Sequence, residues 1–186
     1  MALRTTGSYS SISNENMLSL IRDDTEYKKF RKVIKLELER LNLEQDQKEV
    51  LSLHASRISR TIYDKRQYSP HVLMDASTMD LAFRSRIVEI RVKASLHISI
   101  METAINSIKQ YVYSKYVQNS NVFTTENSRQ SYINTVLKSY ISEVDKAKSF
   151  IQLCDTLVKD IDQAGFNLRN MLDCLKLISE TKGKVI

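Results

Sequence analysis

The side chains that could carry catalysis are few and scattered. His54, His71 and His97 have no cysteine or carboxylate at the spacing that a metal site or a base–nucleophile pair needs. His97 lies in a stretch of alternating apolar and polar residues and reads as a packed or rim residue. Cys154 and Cys174 form neither a disulfide framework nor a zinc pattern, and Cys154 falls on an apolar stripe that suits a buried, reduced thiol. The acidic pair Asp160 and Asp162 fits a solvated helix face. The chain has three glycines, Gly7, Gly165 and Gly183, so it cannot build a glycine-rich loop that cradles phosphate. The expectation is a non-enzyme with no cofactor, no metal and no small-molecule substrate.

Binding chemistry is better represented. Lys28, Lys29, Arg31, Lys32 and Lys35 crowd one segment with no acid between them, and Arg57, Arg60, Lys65 and Arg66 form a second group interleaved with Tyr63 and Tyr68. Cations that follow phosphates beside rings that stack on bases are what a single-stranded nucleic-acid surface uses. The same residues also fit an ordinary solvated helix face, since Glu37, Glu39, Glu44 and Glu49 stand close by. With 28 basic and 22 acidic residues, the net charge of +6 favours an anionic partner, though only mildly.

These residues must be positioned by helices. Between Gly7 and Gly165 there is no glycine, and the chain has one proline, Pro70, so turn-rich β architectures are disfavoured. Val88–Ile100 alternates with the period of a strand. However, Met79, Phe83, Ile87, Ile90, Ala94, Ile98, Met101, Ile105, Ile108, Val112 and Tyr116 recur at helical spacing well beyond that stretch at both ends. Val88, Val92, Leu96 and Ile100 form a second apolar stripe on roughly the opposite side, so this helix needs partners on two faces. Arg84, Arg86, Arg91 and Lys93 must then emerge along its edges, where interhelical or intersubunit ion pairs with Glu89, Asp80 or acids of the following seam helix are expected.

A second seam carries Ile133, Leu137, Tyr140, Val144, Ala147, Ile151, Cys154, Val158 and Ile161 at alternating spacings of four and three, a coiled-coil pattern. Gly165 then stands as either a C-cap or a weak point in one longer helix. Asp23 with Glu26 offers a capping box, Asn42 a helix interruption, Asp75 or Ser77 a cap for the central helix, and Thr124 or Thr125 a cap for the seam helix.

The expected fold is all-α: an elongated bundle of two long antiparallel helices (about 76–117 and 126–163) with additional N-terminal helices and a C-terminal helix. Residues 1–13 read as an extended polar arm, 14–181 as a single helical domain and 182–186 as a frayed tail. No apolar run is long enough to span a membrane and no signal-peptide core is present, so an intracellular, cytoplasmic or virion location is expected.

Cys154, Ile161, the pair Gly165–Phe166 and Arg169 follow a helix, GF, helix order. Over about forty residues this resembles the C-terminal region of phage recombination mediators of the UvsY type. Those are small helical proteins that bind single-stranded DNA and form rings. The resemblance implies a DNA-binding oligomer. The helix pattern itself points first to a non-catalytic structural or assembly protein: a homo-oligomeric ring, or part of a larger complex with other protein subunits, such as a phage head–tail connector.

Overall fold

The computed structural model describes residues 14–63 and 70–182. Five α-helices follow one another: α1 (Asn14–Asp23), α2 (Thr25–Leu41), α3 (Leu43–Tyr63), α4 (Pro70–Val112) and α5 (Glu126–Lys182), with a π-helical turn, Tyr113–Val117, extending α4. No strand occurs among the described residues, so the alternation at Val88–Ile100 is the overlap of two helical stripes. The all-α expectation holds.

The helix boundaries are set by local chemistry. Asp24, rather than Asp23, caps α2: its carboxylate accepts hydrogen bonds from the backbone N–H of Glu26 at 2.7 Å and of Tyr27 at 3.4 Å. Asn42 separates α2 from α3 with a left-handed φ of 43°, a conformation that asparagine tolerates better than most side chains. Its carbonyl accepts from the amides of Gln45 and Asp46, so one residue ends one helix and starts the next. α4 begins at Pro70, six residues before the expected start near 76, because a proline in the first turn gives up no hydrogen bond and has its φ already set. Asp75 and Ser77 therefore lie inside the helix. Thr125 caps α5 by accepting from the Ser128 amide at 3.2 Å.

Gly165 ends nothing. α5 runs through it to Lys182 with helical φ, so the expected separate C-terminal helix is the continuation of α5. The glycine sits in open space, and with α5 helical on both sides of it the helix tolerates its weak propensity.

Contacts group the chain into two units, to both of which α4 and α5 contribute. The first comprises Met1–Arg40 and His97–Asp145. Its core takes Ile21, Tyr27, Phe30 and Ile34 from the N-terminal helices, Ile98, Met101, Ile105, Ile108 and Val112 from α4, and Ile133, Leu137 and Val144 from α5. The second comprises Leu41–Leu96 and Lys146–Ile186. Its core takes Val50, Leu73, Ile87, Ile90 and Ala94 together with Ala147, Phe150, Cys154, Leu157 and Ile161.

The α4 stripe is buried from Ile87 to Val112 at every expected position, with Phe83 and Tyr116 half-buried. Met79 is the exception: it is exposed, and the adjacent Asp80 is buried in its place. On α5 the seam is buried at Ile133, Leu137, Val144, Ala147, Cys154 and Ile161, while Tyr140, Ile151 and Val158 are half-buried. Phe150 and Leu157 take the buried places expected for Ile151 and Val158. Ala147, Cys154 and Ile161 keep the expected register, so the buried face turns only at these two positions.

Candidate functional site

The edges of α4 carry the expected ion pairs. In the second unit Arg84 donates to Asp162 at 2.7 Å and Arg91 donates to Asp155. Seven residues forward on α4 match seven back on α5, which is antiparallel packing. Arg86 binds Glu49 of α3 at 2.6 Å and Glu89 of its own helix at 2.9 Å, and Lys93 reaches Asp46 at 3.4 Å. The Arg86 guanidinium holds the Glu49 carboxyl below its ordinary value. Such pairs add little energy where they are exposed, but they fix the register of three helices whose apolar heptads alone would permit sliding.

Arg57 belongs to this framework and not to a basic surface. It is 5% exposed, donates to Asp160 at 2.5 Å and lies 3.6 Å from the buried Asp80. That corrects its assignment as a nucleic-acid or acidic-partner contact. An arginine on the inner face of α3 has to be paired, because an uncompensated buried charge costs several kcal/mol. The side chains of Arg60, Lys65 and Arg66, and of Tyr63 and Tyr68, lie outside the described residues.

The first basic group, in contrast, meets at one place in the first unit. Lys28, Arg31, Lys32 and Lys35 follow helical spacing on α2 and rim a groove of about 550 Å³ floored by Ile34, Leu38 and Tyr140. Lys29 points elsewhere and pairs with Glu26 at 2.8 Å. Lys28 and Lys35 lie 3.3 Å from Asp23 and 3.8 Å from Glu39, at exposures that leave them free to rearrange. Arg31 and Lys32 have no acidic partner among the described residues. The ring beside the cations is Tyr140 of α5, not the tyrosines near Arg66. It was legible only as a seam position, since nothing local in sequence ties it to α2. Phe30 stacks edge-on against Tyr140 with centroids 5.1 Å apart. Burial, and then the neighbouring Tyr140, pushes the Tyr27 phenol up to about 12. A second, shallower groove of about 890 Å³ in the same unit is lined by amides and hydroxyls of α5, among them Asn127, Gln130 and Asn134, with Lys109 and Lys138 at its edges.

A polar latch in the first unit was not foreseen. The Asp24 carboxylate accepts from the hydroxyls of Tyr111 at 3.1 Å and Tyr116 at 2.6 Å and from the ammonium of Lys115 at 2.7 Å. Tyr111, Lys115 and Tyr116 can converge because the π-helical turn widens the helix at its end. Burial pushes the Asp24 carboxyl up, but hydrogen bonds from Lys115, Tyr116, the Glu26 amide and Tyr111 outweigh it and hold the group well below the usual carboxylate range. His97 is half-buried against Glu37 at 2.7 Å, a pairing consistent with a packed histidine. No group of three or more His, Cys, Asp or Glu side chains among the described residues could hold a metal ion. No described helix is long and apolar enough to cross a membrane.

Two apolar surfaces are left open in the second unit. Val92 and Leu96, on the second stripe of α4, are 56% and 61% exposed. On α5 no residue from Asp162 to Thr181 is buried, and Phe166, Met171, Leu177 and Ile178 are all exposed. No family model, no curated protein and no solved structure matches this chain.

Proposed function

We propose that this protein is a non-catalytic structural protein that works as a homo-oligomer, as a ring component or part of a larger assembly of the phage head–tail connector kind. The supporting observation is apolar surface held out on rigid helices with nothing in the described chain to cover it. Val92 and Leu96 on α4, and Phe166, Met171, Leu177 and Ile178 on α5, would each lose apolar area from water on association. A cyclic assembly closes such surfaces without leaving a growing end. Sedimentation velocity at micromolar concentration tests the reading directly: a compact monomer refutes it.

A second reading, a single-stranded DNA-binding mediator of the UvsY type, is favoured by the α2 groove. There four cations and one phenol share a concave surface, the pairing of charge and ring that suits a flexible polyanion. The two readings are compatible, since a ring can present the groove many times. Fluorescence anisotropy with a labelled oligonucleotide should show salt-sensitive binding. Neutralising Lys28, Arg31, Lys32 and Lys35 together should weaken it and lower the salt slope by roughly 0.7 per lost phosphate contact. Indifference to oligonucleotide at low salt refutes this second reading.

A further inference from the structure

The cations and the ring of the α2 groove come from different helices and would act on different parts of a nucleic acid. Lys28, Arg31, Lys32 and Lys35 stand on α2 at helical spacing, a rail about 10 Å long at 1.5 Å per residue. Tyr140 enters from α5 and lines the floor beside that rail. The ring is held from within the core: Phe30 meets it edge-on with centroids 5.1 Å apart, and the buried Tyr27 hydrogen-bonds to it. A side chain fixed in this way loses little freedom when a ligand arrives. The groove, at about 550 Å³, falls in the size range of sites that take a small organic ligand.

Every nucleic acid offers phosphates, but not every one offers the face of a base. In a duplex the bases are paired and stacked on one another, so a duplex gives the α2 rail its backbone and gives Tyr140 nothing. A single strand can turn a base out and lay its π-face on a ring, whichever base it is. We propose that Tyr140 is the specificity-determining residue of this groove: the α2 cations hold any polyanion, and Tyr140 selects an unpaired strand by stacking on one of its bases. The selection is for strandedness and not for sequence. It rests on the reading of the groove as a nucleic-acid site and adds which residue discriminates there.

Anisotropy on the full chain, with a labelled oligonucleotide used single-stranded and annealed to its complement, separates the two roles. Tyr140→Leu should lower single-strand affinity about 5- to 150-fold, the loss of one base stack, and change duplex affinity less than about twofold. Its salt slope should match the wild type, because no phosphate contact is lost, whereas neutralising the four cations lowers the slope and the affinity for both forms. Tyr140→Phe keeps the ring but loses the hydrogen bond to Tyr27, so it should bind like the wild type. A loss in Tyr140→Phe equal to that in Tyr140→Leu would assign the effect to the hydroxyl contact and overturn stacking. The chain has no tryptophan, so Tyr140→Trp places a single reporter in the groove. Its emission should be quenched by the single strand and not by the duplex, a measurement that stands even where Tyr140→Leu fails to fold. If oligonucleotide binds but Tyr140→Leu weakens both forms equally, or the duplex quenches the indole as strongly as the single strand, Tyr140 does not discriminate, and the proposal falls while the groove stays a nucleic-acid site. If neither form binds the wild type at low salt, the nucleic-acid reading falls and the proposal with it.

Discussion

Asp24→Ala should be among the most damaging single substitutions outside the apolar core. The Asp24 side chain is 5% exposed and does two jobs at once. It caps α2, worth about 1 kcal/mol. It also accepts from Tyr111 and Tyr116, each worth about 1 kcal/mol or slightly more because the acceptor is charged. Lys115 is 50% exposed and regains water when released, so its share is small. The loss should therefore come to about 3 kcal/mol, or a fall in Tm of about 6–12 °C for a chain of this size. Asp24→Asn separates the two jobs: asparagine caps as well as aspartate but carries no charge, so it should cost about 1–2 kcal/mol. The pH dependence carries the sign of a depressed carboxyl. Its stabilisation is fully present above the ordinary value of 3.8 and is lost as pH falls below that toward the folded-state value. The gap between the wild type and Asp24→Asn, followed by urea unfolding with circular dichroism, should be flat from pH 5 to 8 and narrow below about pH 4. If Asp24→Ala unfolds within 0.5 kcal/mol of the wild type, or the gap changes near neutrality instead, the latch does not hold α2 to the end of α4 as argued (threshold set by the usual scatter of surface substitutions, about ±0.5 kcal/mol).

Other consequences can be checked in the same way. Arg57→Ala removes the cation beside the buried Asp80 and should cost about 3–5 kcal/mol, while oligonucleotide affinity of the folded variant stays at the wild-type level; a weakened affinity with unchanged stability would return Arg57 to the binding surface. Gly165→Ala should raise stability by about 0.5–1 kcal/mol, since a methyl there meets nothing and the helix gains propensity; destabilisation in thermal melts would mean that the helix breaks there. Burial, and then the nearby Asp155, pushes the Cys154 thiol up to about 11. It should resist a thiol reagent at pH 8 in the native protein and react only on unfolding; equal labelling of native and unfolded protein would contradict its burial.

The helical class, the α4 stripe from Ile87 to Val112 and the pairing of Arg84 and Arg91 with acids of α5 were legible in the sequence, whereas Glu49 and Asp46, the α3 partners of Arg86 and Lys93, were not. Each of the legible features depends on periodicity along one helix: an apolar residue every three or four positions marks the buried face, and a charge at its edge must meet a charge on a neighbour. The alternation at Val88–Ile100 shows where periodicity is ambiguous by itself, and the absence of glycine resolved it. The second stripe was legible too as an apolar face, and it is exposed at Val92 and Leu96.

What sequence could not supply was the meeting of residues far apart in the chain. Arg57 and Lys28 look alike as letters in basic clusters, yet one lies inside against Asp80 and Asp160 and the other rims a groove, because only the packing of α3 on α4 and α5 decides which face of each helix turns inward. Tyr140 became part of the α2 groove, and Asp24 met Tyr111 and Tyr116, through contacts across about ninety to one hundred and ten residues of chain that no local pattern encodes. The sequence by itself determined which residues lie on which helical face. The tertiary structure decided which of those faces are covered and which, at Val92, Leu96 and the end of α5, stay open.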